Sequence, residues 1–270
     1  MSRLTKYIAW TMFVLLGALV ACDDIPEDER FIYVKPAAVS RTVLIEDFTG
    51  QRCVNCPNAT EAIEQIIEQY GDSAVIAVGI HSGPFAKNTN GTTLPLWTAE
   101  GDEYFNYWQV QEQPSGMVNR HAVSNYPSWA AQVYEDIQKT APLSIELSIE
   151  ETEASRSFYV NSRMMATDGN VSGKLQLWLV EDSIVSPQYM PDGKPVRDYV
   201  HNHVFRQSIN GTWGEDVAIP EGDSKVAYSS FDVPETYDLA RLSVVAFVYN
   251  NTGVLQAAKI RVKWSEDEAR

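Results

Sequence analysis

The stretch Asp47-Phe48-Thr49-Gly50-Gln51-Arg52-Cys53-Val54-Asn55-Cys56-Pro57 decides how the chain is read. It follows a run rich in β-branched residues, Thr42-Val43-Leu44-Ile45. It leads into a segment whose apolar residues fall at Ala59, Ala62, Ile63, Ile66 and Ile67, the spacing of one helix face. The two cysteines therefore sit where a strand turns into a helix. Unpaired backbone N–H groups and the positive end of the helix dipole stabilise an anion at that point, so a thiol there is more acidic than a free one. Two cysteines separated by two residues can also close a small disulfide ring and cycle between dithiol and disulfide. On this geometry Cys53, at the exposed mouth, is the attacking thiolate and Cys56, one turn inside, the resolving thiol. Two other readings stay open, a purely structural disulfide and a zinc half-site. No second Cys-x-x-Cys and no His pair at finger spacing accompanies the motif, which weighs against a metal.

Asp-Phe, four residues and then Cys-x-x-Cys resembles the active-site strand and helix of the thioredoxin superfamily. The resemblance implies a buried aspartate that accepts the proton of the inner cysteine, a role that falls on Asp47. It also implies a cis-proline against the disulfide at the start of a later strand, which falls on Pro114 in Gln113-Pro114-Ser115-Gly116-Met117-Val118. The chain departs from the pattern at Arg52, where many thioredoxins carry tryptophan. A guanidinium there favours the thiolate electrostatically, and the missing ring changes the usual substrate surface.

At 270 residues the chain has material for one or two domains with a substantial core. Its formal charge of −15 argues against nucleic acid or an anionic membrane surface as partner. At the start, Arg3 and Lys6 precede an apolar stretch from Tyr7 to Val20 that ends in Leu19-Val20-Ala21-Cys22, the form of an export signal over 1–21 rather than a membrane span. Leu-Val-Ala-Cys resembles the bacterial lipobox, which implies a diacylated Cys22 anchored in a membrane. One cysteine is then for lipid and two are for the motif, in a compartment where disulfides persist. Residues 22–40, beginning Asp23-Asp24-Ile25-Pro26-Glu27-Asp28-Glu29-Arg30, read as an acidic tether. In some Gram-negative lipoproteins a similar acidic run directs export to the cell surface.

Residues 41–140 read as the thioredoxin-like α/β domain. Phe31-Ile32-Tyr33-Val34 precedes it as an edge strand, and Ser73 to His81 has the apolar run of a central strand parallel to the one carrying Asp47. Ser82 to Pro95 reads as a loop, Thr98 to Trp108 as a helix, Gly116 to Arg120 as a strand, and Pro127 to Thr140 as a helix with Ser128 as cap. His81, ending its strand, reads as a hydrogen-bonded surface residue in preference to a base. Trp97, Tyr104, Phe105, Tyr107 and Trp108 read as core in preference to a peptide groove.

From Ala141-Pro142 the period becomes two: Leu143, Ile145, Leu147 and Ile149 alternate with polar residues. Similar segments recur at 157–166, 173–181, 203–209, 225–233, 242–249 and 254–264, separated by Asp-Gly-Asn, Asp-Gly, Asn-Gly and Asn-Thr-Gly turns. Residues 141–264 therefore read as an all-β sandwich of immunoglobulin or fibronectin-III kind, with 265–270 as a disordered tail. His201 and His203 would share a strand face as a metal pair, but no third ligand is evident. The Pro-rich loop from Ser186 to Tyr199 reads as an interaction loop.

The lipobox, acidic tether, Phe-Thr-Gly-x-x-Cys-x-x-Cys-Pro, Pro-Ser-Gly-Met-Val-Asn-Arg and β-rich second half together resemble the bacterial family named for an outer-membrane protein of about 28 kDa. That resemblance implies an outer-membrane lipoprotein, periplasmic or surface-exposed. Its expected activity is thiol-disulfide exchange through Cys53 and Cys56 with a cysteine-containing envelope or extracellular protein, needing no cofactor. The alternative is a non-catalytic surface binding or adhesion lipoprotein in which the pair is a structural disulfide. Oligomeric state is not specified by the sequence.

Overall fold

The computed structural model describes residues 35–264. The export signal, Cys22, the acidic run after it, the strand expected at 31–34 and the tail 265–270 lie outside the described residues. At the end of the expected tether the chain is already paired: β1 (Val39–Ser40) lies antiparallel to β5 (Thr140–Ala141).

Strand β2 (Val43–Thr49) and strand β3 (Val75–His81) are parallel, registered from Val43 opposite Val75 to Thr49 opposite His81, with α1 (Cys56–Tyr70) crossing between them. Strand β4 (Ser115–Val118) runs antiparallel on the other edge of β2. Alternation divides the apolar side chains between two faces. Val43, Ile45, Val75 and Ala77 pack beneath α1 and α3 (Trp129–Ile137), while Leu44, Phe48, Ile76, Val78 and Ile80 pack on the opposite face with Tyr104 of α2 (Ala99–Tyr107). Burial on both faces is why β3 is a nearly continuous apolar run, whereas β2 carries the buried polar residues Glu46, Asp47 and Thr49 among its apolar ones. The Thr98 hydroxyl caps α2, accepting from Gly101 N at 3.0 Å. Ser128 makes no such cap for α3; its hydroxyl donates to Asn125 O, within a 3-10 turn over Tyr126–Ser128.

The second half is antiparallel β, as its period of two requires. Strands β6 (Leu143–Glu151), β7 (Ser157–Ala166) and β15 (Ser224–Asp232) form a three-stranded sheet. Strands β8 (Val171–Glu181), β16 (Leu242–Asn250) and β17 (Gly253–Arg261) belong to the larger sheet, and one apolar core of side chains from both sheets fills the sandwich. Strand β14 (Glu215–Ile219), on β8, was not read from the sequence.

The expected boundary at 140/141 does not separate two cores. Strand β13 (Val204–Ser208) pairs antiparallel with β8 and parallel with β3, Val204 opposite Gly79, so strands of both halves make one eight-stranded sheet in the order β17-β16-β8-β13-β3-β2-β4, with β14 also on β8. The physical reason is a shared apolar layer. Leu44, Phe48 and Val78 from the first half lie in the same cluster as Trp178, Phe205, Val245 and Phe247 from the second. The described residues from 36 to 264 accordingly form a single compact unit.

Candidate functional site

The alternation that buries Val43 and Ile45 under α1 puts Asp47 on that same face, and the register of β2 with β3 puts Gly79 and His81 beside it. Cys56 is the first residue of α1, and Cys53 precedes it in the turn, its N–H donating to Gly50 O at 2.9 Å. The two are joined in a disulfide with Cα atoms 5.4 Å apart. Gly50 leaves no room for a side chain: a Cβ there would lie 2.5 Å from the carbonyl carbon of Phe85. Through that close approach Arg52 N donates to Phe85 O at 3.0 Å, and the Arg52 guanidinium reaches Lys87 O at 2.8 Å. The peptide bond Gln113–Pro114 is cis, and the Gln113 amide donates to Thr49 O at 2.8 Å, which places Pro114 at the head of β4 beside the end of β2.

Behind Cys56 lies an internal cavity of about 40 Å³ lined in part by Asp47, Cys56, His81, Tyr199 and His201. Asp47 is buried, its Oδ1 has no hydrogen-bond partner, and burial pushes its pKa up to about 7. The His81 and His201 rings meet edge to face at 5.3 Å. Burial, then the neighbouring His201 and Arg206, hold His81 well below the usual imidazole range. Burial lowers His201 to about 4, opposed by its contact with Ser186 O at 3.1 Å. Burial therefore favours the neutral form of these two imidazoles at pH 7, while it brings the Asp47 carboxyl up to about that pH.

Four expectations are corrected. Cys53 is not at an exposed mouth but only 2 % exposed. It lies under a strap, residues 184–201, in which β9 (Ile184–Val185) pairs with β12 (Val200–His201) and β10 (Gln188–Tyr189) with β11 (Pro195–Val196). The Gln188 amide donates to Cys53 O and Tyr189 N to Gln51 O, both at 2.9 Å, while the buried Gln51 amide donates to Ser186 Oγ at 2.8 Å and Pro187 O at 2.9 Å. His81 is not a surface residue either, being 4 % exposed with Nδ1 unpartnered. The residues over Cys53 come from the distant loop that the sequence marks only as an interaction loop, and His201, against His81, follows just beyond that loop. His201 and His203 do not share a strand face, because β12 ends at His201 and His203 has a φ of 57°, with its ring against Asp182. The aromatic cluster is divided: Tyr104 is core, whereas Tyr107 is 61 % exposed.

Fold and site define a β-rich protein with few helices and a Cys-x-x-Cys disulfide at a helix start. The sequence then gives the family: the model described as Outer membrane protein Omp28 matches residues 101–266. The chain belongs to that family and is a protein of the cell envelope, at the outer membrane. The matched segment begins beyond Cys56, so the disulfide lies outside it. Among solved structures, the chain is similar to HBP35 of Porphyromonas gingivalis, with a TM-score of 0.67 at 16% identity over 84% of this chain and 77% of that one. It is also similar to a domain of the outer membrane lipoprotein Omp28 from Porphyromonas gingivalis, with a TM-score of 0.35 at 23% identity over 46% of this chain and 89% of that one. No curated protein matches.

Proposed function

We propose that the chain is a lipoprotein, anchored through a diacylated Cys22, whose thioredoxin-like segment exchanges disulfides with cysteine-containing proteins or peptides of the envelope or extracellular space. The observation that carries this reading is Asp47, buried beside Cys56 with an unpartnered oxygen and a pKa near 7. An acid–base group works best when its pKa lies near the ambient pH, and an unpaired buried carboxyl contributes nothing to stability that an apolar side chain would not. The immunoglobulin-like or fibronectin-III-like sandwich is the scaffold that carries the redox segment and its strap.

The exchange starts from the disulfide. A substrate thiolate attacks Cys53 Sγ, the Cys53–Cys56 bond breaks, and its electron pair leaves on Cys56 Sγ, which takes the proton held by Asp47. A second substrate thiolate attacks the substrate sulfur of the mixed disulfide and expels Cys53 as thiolate. The substrate leaves oxidised by two electrons, and the protein is left as the dithiol. In the reverse direction Asp47 accepts the Cys56 proton. Pro114, heading β4, shapes the place where the substrate strand lies. Access to Cys53 requires the strap to swing away.

The burial of Cys53 favours a second reading, a surface binding or adhesion lipoprotein stapled by this disulfide. The two readings separate in a trapping experiment on the full chain. Cys56→Ser, incubated with oxidised glutathione and mapped by peptide mass, forms a mixed disulfide at Cys53 in the folded protein if exchange is the function. Cys53→Ser forms one on Cys56 about tenfold more slowly or less. An adduct that appears only in denaturant supports the staple.

A further inference from the structure

We infer that His81 is a positioning residue of the redox site: its Nδ1 and Oδ1 of Asp47 together hold a water molecule in the cavity behind Cys56, and that water orients and solvates the carboxyl. The use of the water in proton transfer rests on the exchange reading above; its place in the cavity does not. On the sheet face under α1, Asp47 is the register partner of Gly79, and Thr49 that of His81. Gly79 has no side chain, so the space opposite Asp47 stays open. His81 is the next residue along that face, and Asp47, Cys56, Gly79 and His81 all line the one cavity.

The cavity's volume of about 40 Å³ exceeds the roughly 10–15 Å³ that one water needs. Apolar cavities stay dry, whereas a polar one holds a water that finds about two to four partners. Two are present: Asp47 Oδ1 and His81 Nδ1 are both buried and have no partner within the protein. Orphaned buried polar atoms are rare in native proteins, and ordered water is the usual remedy. The His201 ring, edge to face with His81 at 5.3 Å, limits how far the imidazole can turn. A water both donates and accepts, so the bridge forms with either tautomer of a neutral imidazole and with Asp47 protonated or ionised. Glu64 of α1, Tyr199 and His201 of the strap, and His203 also line the cavity, and the charge of Arg206 on β13 acts on His81. None of these groups is hydrogen-bonded to Asp47 Oδ1.

The test is a pH titration of the Asp47 carboxyl carbon by ¹³C NMR in the oxidised full chain, with Asp47→Asn to assign the signal. Three variants separate the water from the fold. His81→Leu removes Nδ1. His81→Asn keeps a polar atom bonded to Cγ, as Nδ1 is. Gly79→Ala leaves His81 in place and puts a methyl into the cavity; the nearest atoms to that methyl lie 3.8 Å away, so it fits. Loss of the water leaves the carboxylate less solvated, so the Asp47 midpoint is expected to rise by about one pH unit or more in His81→Leu and in Gly79→Ala. In His81→Asn it rises by about half of that or less. The pH profile of exchange with glutathione moves with the midpoint. An unchanged midpoint in Gly79→Ala or in a folded His81→Leu overturns the inference, as does a shift in His81→Asn equal to that in His81→Leu. The titration is read on the disulfide form, so midpoint shifts without exchange in any of the proteins support the water and overturn only the exchange reading.

Discussion

Burial governs the proton of Asp47, and the sign of its effect on stability follows. Its folded pKa of about 7 lies above the value near 4 of an unfolded aspartate, so between those values the folded state binds more protons. Stability contributed at this residue therefore falls as pH rises from about 4 to about 7. Asp47→Asn is predicted to raise urea stability at pH 8 by on the order of a few kcal/mol, with most of the gain gone at pH 4, while slowing exchange at Cys53 by about 10²-fold. An equal gain at both pH values, or unchanged exchange, contradicts the assignment. Gly50→Ala forces a Cβ against the Phe85 backbone, so chemical melts are predicted to show a loss of about 1–3 kcal/mol. At this scale the sequence was informative about neighbours in the chain: Asp47, Cys53, Cys56 and Pro114 were read from one strand, one turn and one short motif. His81 was misread because its neighbour His201 arrives from far downstream.

Among the elements, helices were legible because their signals are local, such as the four-residue spacing of Trp129, Val133 and Ile137, although the cap is Thr98 on α2 and not Ser128 on α3. Strand β14 was missed because Glu215-Asp216 opens it and only Val217 and Ile219 alternate inward. The strap is the element whose role the sequence hid: its prolines and Gly193 announce a loop, but nothing local says that Gln188 will reach Cys53. Gln188→Ala removes that side-chain bond and is predicted to speed reduction of the disulfide by dithiothreitol about five- to tenfold while lowering stability by only about 1 kcal/mol. Unchanged reduction kinetics would show that the strap does not limit access.

For the whole molecule, the change of period at Ala141 was read as a domain boundary because periodicity reports which face is buried, not which neighbour buries it. The shared sheet makes folding of the halves interdependent. A fragment of residues 36–140 loses Trp178, Phe205, Val245 and Phe247 from the layer that covers Leu44, Phe48 and Val78. It is predicted to lack a cooperative thermal transition and native near-UV circular dichroism, whereas residues 36–264 retain both. A sharp transition in the short fragment would restore two independent domains.

The most direct measurement of the central claim is equilibration of the full chain in glutathione redox buffers, with Cys53→Ser as control. A redox-active pair gives a reversible Cys53–Cys56 equilibrium in the folded protein at a potential in the range of known oxidoreductases, roughly −270 to −120 mV. A bond that stays closed below about −300 mV and opens only on unfolding is a staple, and would contradict it.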